Sequence, residues 1–232
     1  MNMASVTIRP VDSARYVEIK ELYKYNLASL NNYIEELQWW NKRVNLVSRD
    51  VSRETLVKHV EHSLLLLLVP IVNEAANIFD VGTGGGLPGM PLAICRADHS
   101  VQRIVMNDKV EKKIWAVKQM IKKLGISGVD AIAKNASTIT HRDIGSVSRG
   151  TTGESSVSVC ITKHAFKVDQ LLDLISSEFV NEFVFLKGRA EAIEEIKRVK
   201  EPVSAVIYSL DEIDEIDETA FYQGKAIVHL SR

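Results

Sequence analysis

Cysteine is scarce in this sequence of 232 residues, which contains only two. Cys95 and Cys160 both lie inside apolar runs, and neither belongs to a Cys-x-x-Cys pair or stands beside a pair of histidines. Disulfide frameworks and metal sites need spacings of that kind. The sequence therefore predicts two ordinary buried thiols, with no disulfide and no bound metal ion.

Long apolar segments are also missing. The one long leucine run, Leu64–Leu68, is followed at once by Val69 and Pro70. It falls well short of the roughly 20 apolar residues that a helix needs to cross a bilayer. Residues 1–15 lack the apolar stretch of a secretory signal. We therefore expect a cytoplasmic protein that does not bind a membrane.

Net charge is nearly absent, because 29 lysines and arginines face 30 aspartates and glutamates. The total of −1 argues against a polycation that coats nucleic acid indiscriminately. The charges are segregated, however. Six acids and no base occupy residues 211–218, which leaves 29 bases against 24 acids elsewhere. Between Lys42 and Lys58, five bases face two acids, and this segment is either a solvated face or a track for RNA.

Helical periodicity dominates the first third of the chain. Apolar residues recur at spacings of three and four from Tyr16 to Leu37, which predicts one stripe of a long helix. A second helix is predicted from about Ser52 to Leu68, with Pro70 as its natural end. Together they predict an N-terminal helical segment over residues 1–72. The three tryptophans, Trp39, Trp40 and Trp115, are predicted to pack in the core or between domains rather than to stack on bases.

From residue 73 to residue 232, short runs of Ile, Val and Phe alternate with helical patterns. Such alternation predicts a mostly parallel sheet with helices on both faces, a Rossmann-like α/β domain whose ligand binds where the strand order reverses. Residues 140–156 and the acidic residues 211–218 are predicted to form surface loops. The predicted strands are Ile78–Val81, Val101–Asn107, Val129–Ala133, Val157–Thr162, Glu182–Leu186, Val203–Tyr208 and Ala226–Leu230. The predicted helices are Leu87–Ala97, Val110–Leu124, Val168–Ser177 and Ala190–Lys200.

A glycine loop between a predicted strand and a predicted helix is the most informative stretch. It consists of Asp80, Val81, Gly82, Thr83, Gly84, Gly85, Gly86, Leu87, Pro88 and Gly89. Glycines allow a sharp turn and the close approach of a ligand, and the helix that follows offers free N–H groups. A purely structural turn is the alternative. Asp108, 22 residues beyond Gly86, ends the next predicted strand, where a carboxylate can accept hydrogen bonds from both ribose hydroxyls or can cap a helix.

Asp80 distinguishes between two nucleoside ligands. A dinucleotide such as NAD places its pyrophosphate over the glycine loop, where a carboxylate just before the loop would repel it. S-adenosylmethionine has no phosphate and carries an ammonium and a sulfonium, both of which a carboxylate attracts. These residues therefore favour S-adenosylmethionine as the cofactor.

The loop and its flanks resemble a known family, the bacterial small-subunit ribosomal RNA guanine-N7 methyltransferases, also called the glucose-inhibited division protein B family. The Leu-Pro-Gly-x-Pro-Leu extension of the loop is far more specific than its glycines. The matching stretches, in order, are Trp40–Ser48, Lys58–Leu64, Asp80–Ile94, Asp108 with Lys112 and Lys113, and Phe185–Gly188. The resemblance implies an α/β fold of the class I S-adenosylmethionine-dependent methyltransferases with an N-terminal helical extension.

The resemblance also implies site residues. Gly82 and Leu87 would line the cofactor, Asp108 would hold its ribose, and Ala136 and Ser137 would lie near its adenine. His164 would stand where the family has an arginine that reaches into the site. Asp80, Thr83, Gly84 and Gly86 complete the predicted cofactor-binding set. The candidates for holding the target base or its phosphates are Asn41, Asn45, His59, His164 and Lys187.

Each of these last candidates has a structural alternative: the asparagines cap or bridge helices, His59 is a satisfied, partly buried histidine, and Lys187 faces solvent. The chain also departs from the family pattern near the site, with Asn135 and Ser137 in place of an arginine and a glutamate, Lys58 in place of an arginine and His62 in place of an aspartate. The expected activity is methylation of guanine N7 in small-subunit ribosomal RNA, free or in the 30S subunit. A methyltransferase with another substrate and a non-catalytic RNA-binding assembly factor stay open, and no oligomeric state is predicted.

Overall fold

An eight-stranded sheet with helices on both faces forms the centre of the molecule. The computed structural model describes residues 4–96, 103–144, 158–178 and 180–232. The strands are β1 (Ala4–Pro10), β2 (Asn77–Val81), β3 (Arg103–Asp108), β4 (Val129–Ala133), β5 (Ser158–Lys163), β6 (Glu182–Gly188), β7 (Val203–Ser209) and β8 (Lys225–Ser231). The helices are α1 (Ser13–Tyr25), α2 (Leu27–Asn41), α3 (Arg53–Leu64), α4 (Pro70–Glu74), α5 (Gly89–Cys95), α6 (Glu111–Leu124), α7 (His141–Ile144), α8 (Val168–Leu174), α9 (Arg189–Ile196) and α10 (Asp211–Asp217).

The order of the strands across the sheet is β1-β7-β8-β6-β5-β2-β3-β4. Neighbouring strands are parallel except for β8, which runs antiparallel to both β6 and β7. Strand β2 lies between β3 and β5, so the chain proceeds in one direction from β2 to β4 and in the other direction from β5 onward. The carboxyl end of β2 is therefore the point where a parallel α/β sheet opens a crevice for a ligand.

Alternate residues of the central strands belong to different halves of the core. In β2, Ile78 packs with the N-terminal helices, α5 and α6, while Phe79 and Val81 pack with α8 and α9 on the other face. Cys95 and Cys160 are both buried free thiols, as predicted. No helix in the described part of the chain is long and apolar enough to span a membrane.

The predicted strands are all confirmed, with ends within two residues of those expected. The four predicted helices of the α/β part are found as α5, α6, α8 and α9, of which the last two end earlier than expected. Three predicted end residues, Ala97, Val101 and Val157, lie outside the described residues, as do residues 145–156 of the predicted loop. Residues 141–144 of that loop form the short helix α7.

The N-terminal segment differs from its prediction in three ways. The second helix, predicted from Ser52 to Leu68 with Pro70 as its end, is α3 and ends at Leu64; a 3-10 turn covers Leu65–Leu68, and Pro70 begins α4. The long helix is two helices, because the chain breaks at Asn26, whose side chain donates to the carbonyl of Leu22. An asparagine that bonds to nearby backbone offers the chain an alternative to continuing the helix. Residues 4–10 form strand β1, which pairs in parallel with β7 at the sheet edge. The division at residue 72 stays a prediction, and one core cluster includes residues from both sides of it.

The acidic stretch is a helix, so the loop predicted over residues 211–218 is wrong. Its carboxylates have specific partners: Asp214 accepts from the backbone N–H of Tyr222, and Asp217 accepts from the Tyr16 hydroxyl and from Lys20 on α1. Acids in the first turn are favoured by the helix dipole, and Ile213 is fully buried. The charges that suggested a solvated loop attach α10 to the N-terminal helices.

We predict that Asp217→Asn lowers the free energy of unfolding by about 1–2 kcal/mol at neutral pH, since bonds to a charged acceptor are weakened. Burial alone would raise the pKa of Asp217, but the hydrogen bonds from Lys20 and Tyr16 lower it below its usual 3.8. A lowered folded-state pKa contributes stability above the unfolded pKa and loses it as the pH falls. The advantage of the wild type should therefore shrink below pH 3.8. Urea denaturation over a pH series measures this, with Glu215→Gln, an exposed charge change on the same helix, as the control.

Candidate functional site

The glycine loop leaves β2 at the point where the strand order reverses. Its first two amides, those of Gly82 and Thr83, both donate to the carbonyl of Asn107 at 2.8 Å. The amides of Gly86 and Leu87 then donate to the carbonyl of Thr83 at 2.9 Å. The loop is thus fixed to the end of β3 before helix α5 begins.

Two of the loop glycines are required by their surroundings. Gly82 has φ +76°, and a Cβ there would lie 2.5 Å from the Cβ of Ala165 in the turn after β5. Gly84 has φ +57°, and its Cβ would lie 2.9 Å from the backbone oxygen of Leu46. Other residues are strained at such φ values. The loop therefore passes between the turn after β5 and the N-terminal segment, and packing alone accounts for glycine at these positions.

Asp80 lies under the loop with no exposed surface. Its Oδ2 accepts from the Thr83 hydroxyl at 2.5 Å and from the amide of Gly89 at 2.9 Å. Its Oδ1 is buried without a hydrogen-bond partner in the described part of the chain. Burial raises the pKa of this carboxyl to about 7. A cationic group brought near the free oxygen would stabilise the ionised form, so the residue fits the ammonium or sulfonium of S-adenosylmethionine.

Asp108 ends the neighbouring strand β3 and is 8% exposed. Its Oδ2 accepts from the amide of Gly84 at 3.2 Å, and its Oδ1 accepts from the amide of Val110 at 2.9 Å. The side chain thus supports both the glycine loop and the start of α6. Each carboxylate oxygen has two lone pairs, so these bonds leave acceptor capacity for two ribose hydroxyls. The ribose contact stays a prediction.

The turn after β4 is brought to the same edge by Asn107, whose amide donates to the carbonyls of Ile132 and Lys134. Ala136 and Ser137 begin the short 3-10 turn Ala136–Thr138 that follows. Ala136 is buried and Ser137 is exposed. The Asn135 side chain accepts from the amide of Ser137, so the residue that replaces the family's arginine caps this turn. The contact of this turn with adenine stays a prediction.

Lys163, at the end of β5, was not among the predicted site residues. Its ammonium donates to the carbonyl of His59 at 2.8 Å and lies 3.2 Å from Nδ1 of the same residue. Burial lowers the pKa of Lys163 to about 7. Burial, together with the charge of Lys163, lowers the pKa of His59 to about 4. His59 is therefore a neutral histidine in contact with Lys163. The position of Lys163 at the end of a predicted strand was the signal in the sequence that could have identified it as a site residue.

Two further histidines lie close together beside this pair. His164 is exposed and has φ 55°, an unusual conformation for a residue other than glycine. His62 is fully buried, and its ring centroid lies 6.0 Å from that of His164 and 5.8 Å from that of Tyr222. Neither ring nitrogen of His62 has a hydrogen-bond partner among the described residues. Burial lowers the pKa of His62 well below its usual value, so it is neutral.

Asn41 and Asn45, two other predicted base-holding residues, both make hydrogen bonds within the protein. Asn41 is buried; its Oδ1 accepts from the amides of Leu46 and Val47 and its Nδ2 donates to the carbonyl of Ser48. Asn41 thus shapes the loop that touches the glycine loop, a role that is neither a helix cap nor a bridge between helices, and its contact with a target base stays a prediction. Asn45, in that loop, is exposed, and its Oδ1 accepts from Arg49.

Lys187 at the end of β6 is buried, so the alternative that it faces solvent is wrong. Its ammonium lies 3.1 Å from Oε2 of Glu195 and donates to the carbonyl of Phe166 at 3.0 Å. Glu195 also accepts from the amide of Val168, which starts helix α8. Lys187 therefore links β6, the turn after β5 and helix α9, with two of its three donors engaged.

We predict that Asp80→Asn changes how stability depends on pH. Because the folded-state pKa of Asp80, about 7, lies above its ordinary 3.8, the folded protein binds more protons than the unfolded chain between these values. Wild-type stability should therefore contain a component that falls as the pH rises across this window. Asp80→Asn should lack that component, so its stability relative to the wild type should improve from pH 4 to pH 7. Urea denaturation at several pH values tests this, and Asp50→Asn, an exposed carboxyl, should follow the wild type.

Several proteins of known family align with the chain. A ribosomal RNA small subunit methyltransferase G of Chlorobium limicola is 42% identical over 115 residues, which are 50% of this chain and 51% of that protein. The protein of the same name from Flavobacterium johnsoniae is 32% identical over 219 residues, 90% of this chain and 96% of that protein. The alignment with the Chlorobium limicola protein thus spans about half the length of that protein, and so does the alignment with a second relative of the same name.

Solved structures confirm the predicted fold. The O-methyltransferase from Bacillus cereus in complex with SAH has a TM-score of 0.50 at 18% identity, over 86% of this chain and 90% of that chain. A mutant of MtNAS in complex with S-adenosylmethionine has a TM-score of 0.51 at 13% identity, over 95% and 80%. The α/β fold is that of the class I S-adenosylmethionine-dependent methyltransferases. A family model described as GidB, rRNA small subunit methyltransferase G, matches residues 26–210, and the chain belongs to this family.

Proposed function

We propose that this protein is an S-adenosylmethionine-dependent methyltransferase that methylates guanine N7 in small-subunit ribosomal RNA. The observation that carries the proposal is the glycine loop, held at the switch point between Asp80 and Asp108. Asp80 offers a buried oxygen without a partner among the described residues to a cation, and Asp108 offers lone pairs to a ribose. A pyrophosphate in the same place would lie close to the Asp80 carboxylate, which disfavours NAD.

The reaction requires positioning more than proton transfer. Bound S-adenosylmethionine supplies a methyl group on a sulfonium, and guanine N7 has a free lone pair and no proton to lose. The residues of this chain therefore have to align the base with the methyl group rather than remove a proton. His59 and His62 are neutral because of their burial, and neither needs to act as a base in this scheme.

The side chains around the mouth are suited to RNA. The segment from Lys42 to Lys58 carries a local excess of bases. Within that segment Asn45 and Arg49 are exposed next to the loop that contacts Gly84. His164, where β5 ends, adds no charge at neutral pH, because partial burial and the charge of Lys163 lower its pKa to about 4. Basic side chains bind phosphates whatever the base sequence. Such a surface therefore positions an RNA strand without reading its sequence. The substrate we propose is ribosomal RNA, free or in the 30S subunit, and the location we propose is the cytoplasm.

A second candidate is a methyltransferase of this fold with a different target. The observation in its favour is the turn after β5, where His164 replaces a family arginine, and its neighbour His62 replaces an aspartate. Histidine cannot make the two parallel hydrogen bonds of a guanidinium. His62 is neutral and buried against aromatic rings, so it offers no charge to a substrate.

We predict that Asp108→Ala weakens S-adenosylmethionine binding by roughly 10–100-fold, because the ribose loses charge-assisted hydrogen bonds. Isothermal titration calorimetry measures the affinity. Asp130→Ala is the matched control, since Asp130 is an exposed aspartate on the next strand, where it pairs with Arg103. Because Asp108 also accepts from the amides of Gly84 and Val110, the thermal unfolding midpoint of Asp108→Ala without cofactor separates lost ligand contacts from a disturbed loop.

Transfer of a tritiated methyl group to deproteinised small-subunit RNA and to 30S subunits tests the activity, and mass spectrometry of the product identifies N7-methylguanine. Wild-type protein that binds no S-adenosylmethionine would contradict the proposal as a whole. Protein that binds the cofactor but labels neither RNA substrate would point to the second candidate. A product labelled at another atom would contradict the assignment of N7.

A further inference from the structure

Two tryptophan side chains are open to solvent beside the proposed site. Trp39, near the end of α2, is 47% exposed, and Trp115, in the second turn of α6, is 56% exposed. The ring of buried Trp40 contacts both edge to face, with centroid distances of 4.8 Å to Trp39 and 5.0 Å to Trp115. The packing role predicted for the tryptophans is thus confirmed for Trp40, whereas Trp39 and Trp115 keep about half of their surface free.

Basic side chains surround these two rings. The guanidinium of Arg43 lies 3.5 Å from the centroid of the Trp39 ring. On α6, Lys112, Lys118 and Lys122 are exposed, and their spacing places them on the same helix face as Trp115. Residues 35–43 and 109–123 together contain eight bases and three acids, a formal +5 on a chain whose total is −1. Exposed aromatic rings with this charge around them fit a polyanion that carries aromatic groups.

A surface groove leads away from the tryptophans between the two helices. Its volume is about 380 Å³, and it is lined by Glu36, Trp39, Trp40, Gln119, Lys122 and Lys123. The helices run antiparallel, since Trp40 meets Trp115 at one end and Glu36 pairs with Lys123 further along. That pair engages one of the three acids, so the groove presents mainly positive charge and indole rings.

The end of the groove with the tryptophans lies at the rim of the proposed site. Helix α6 begins three residues after Asp108, and Trp115 follows Glu111 by four residues, roughly 6 Å along the helix axis. Helix α2 ends at Asn41, and the loop that follows brings the carbonyl of Leu46 against Gly84. Trp39 and Trp115 therefore lie within reach of the nucleotides next to a target base that enters at the glycine loop.

We propose that this tryptophan patch, formed by Trp39 and Trp115 with Arg43, Lys112, Lys118 and Lys122, binds unpaired nucleotides that flank the target base. The inference rests on the proposed RNA substrate and adds the form in which the RNA is bound. Bases of a single strand expose their faces and stack on indole rings, while lysines track the phosphates. A duplex hides those faces, so it would use only the charges.

The test is the affinity of the full-length protein for a fluorescein-labelled single-stranded RNA oligonucleotide of about 12 nucleotides, by fluorescence anisotropy. We expect Trp39→Ala and Trp115→Ala each to weaken binding by roughly tenfold, and Trp115→Phe, which keeps a ring, to weaken it less. Tyr25→Ala is the matched control, because Tyr25 is 84% exposed and lies outside the patch. It should bind as the wild type does. Binding of an RNA duplex should change little in all four variants. The KM for RNA in methyl transfer should rise in Trp39→Ala and Trp115→Ala and stay at the wild-type value in Tyr25→Ala.

S-adenosylmethionine affinity, measured by calorimetry in the same variants, separates a lost RNA contact from a damaged fold, and it should stay at the wild-type value. Single-strand affinity unchanged in the Trp39→Ala, Trp115→Ala double variant would overturn the proposal. So would a loss seen only with assembled 30S subunits and not with RNA alone, since the patch would then bind a ribosomal protein. If the wild type transfers no methyl group to any RNA, the proposed function fails, and the oligonucleotide affinities still decide whether the patch binds single strands.

Discussion

The glycine loop is held in place by contacts from β3, from Asp80 and from helix α2, and the candidate site depends on these contacts. Asn107 holds its first amides, Asp80 holds its last one at Gly89, and the hydroxyl of buried Tyr33 donates to the carbonyl of Gly85 from helix α2. A loop of this composition has little preference for any one conformation, because glycine loses more conformational freedom on folding than other residues. The N-terminal helices thus do more than cover the sheet: by packing Leu46 and Tyr33 against the loop, they fix the backbone that a cofactor would approach.

This dependence explains why the two parts of the chain share one core. Leu30 and Leu37 of α2 belong to the same buried cluster as Ile78 of β2 and Ile104 of β3. A site assembled where α2, β2 and α6 meet would lose its geometry if the N-terminal segment moved independently of the sheet. The short segment from Asn41 to Ser48 carries the connection, and Asn41 keeps its shape with three hydrogen bonds to the backbone.

Most of the sheet could be predicted from the sequence, because buried parallel strands appear as continuous apolar runs with helices between them. Strand β1 could not be predicted in this way, because its residues are almost all exposed at the sheet edge and form no apolar run. Its partner β7 also lies nearly 200 residues later in the sequence. The positions of Gly82, Asp80 and Asp108 around the glycine loop could be predicted from the strand–loop–helix pattern, while their contacts with a cofactor stay predictions. Lys187 and the acids of α10 were harder, since their roles come from partners distant in sequence: Glu195 has to approach from α9, and Tyr16 from α1. The number of charged residues in a segment identifies neither of these partners.

The near-zero net charge is the sum of an acidic region and a basic region that lie in different parts of the structure. Five of the six acids of residues 211–218 belong to α10, and Glu218 follows it directly. Helix α10 precedes β8 and is attached to α1, whereas the +5 of the α2 and α6 segments lies beside β3. Four strand spacings separate β8 from β3 in the sheet, roughly 19 Å at about 4.8 Å each. The Debye length at physiological salt is about 8 Å, so exposed charges four strand spacings apart are largely screened from one another. A chain with a total of −1 can therefore present a locally cationic, aromatic surface to RNA.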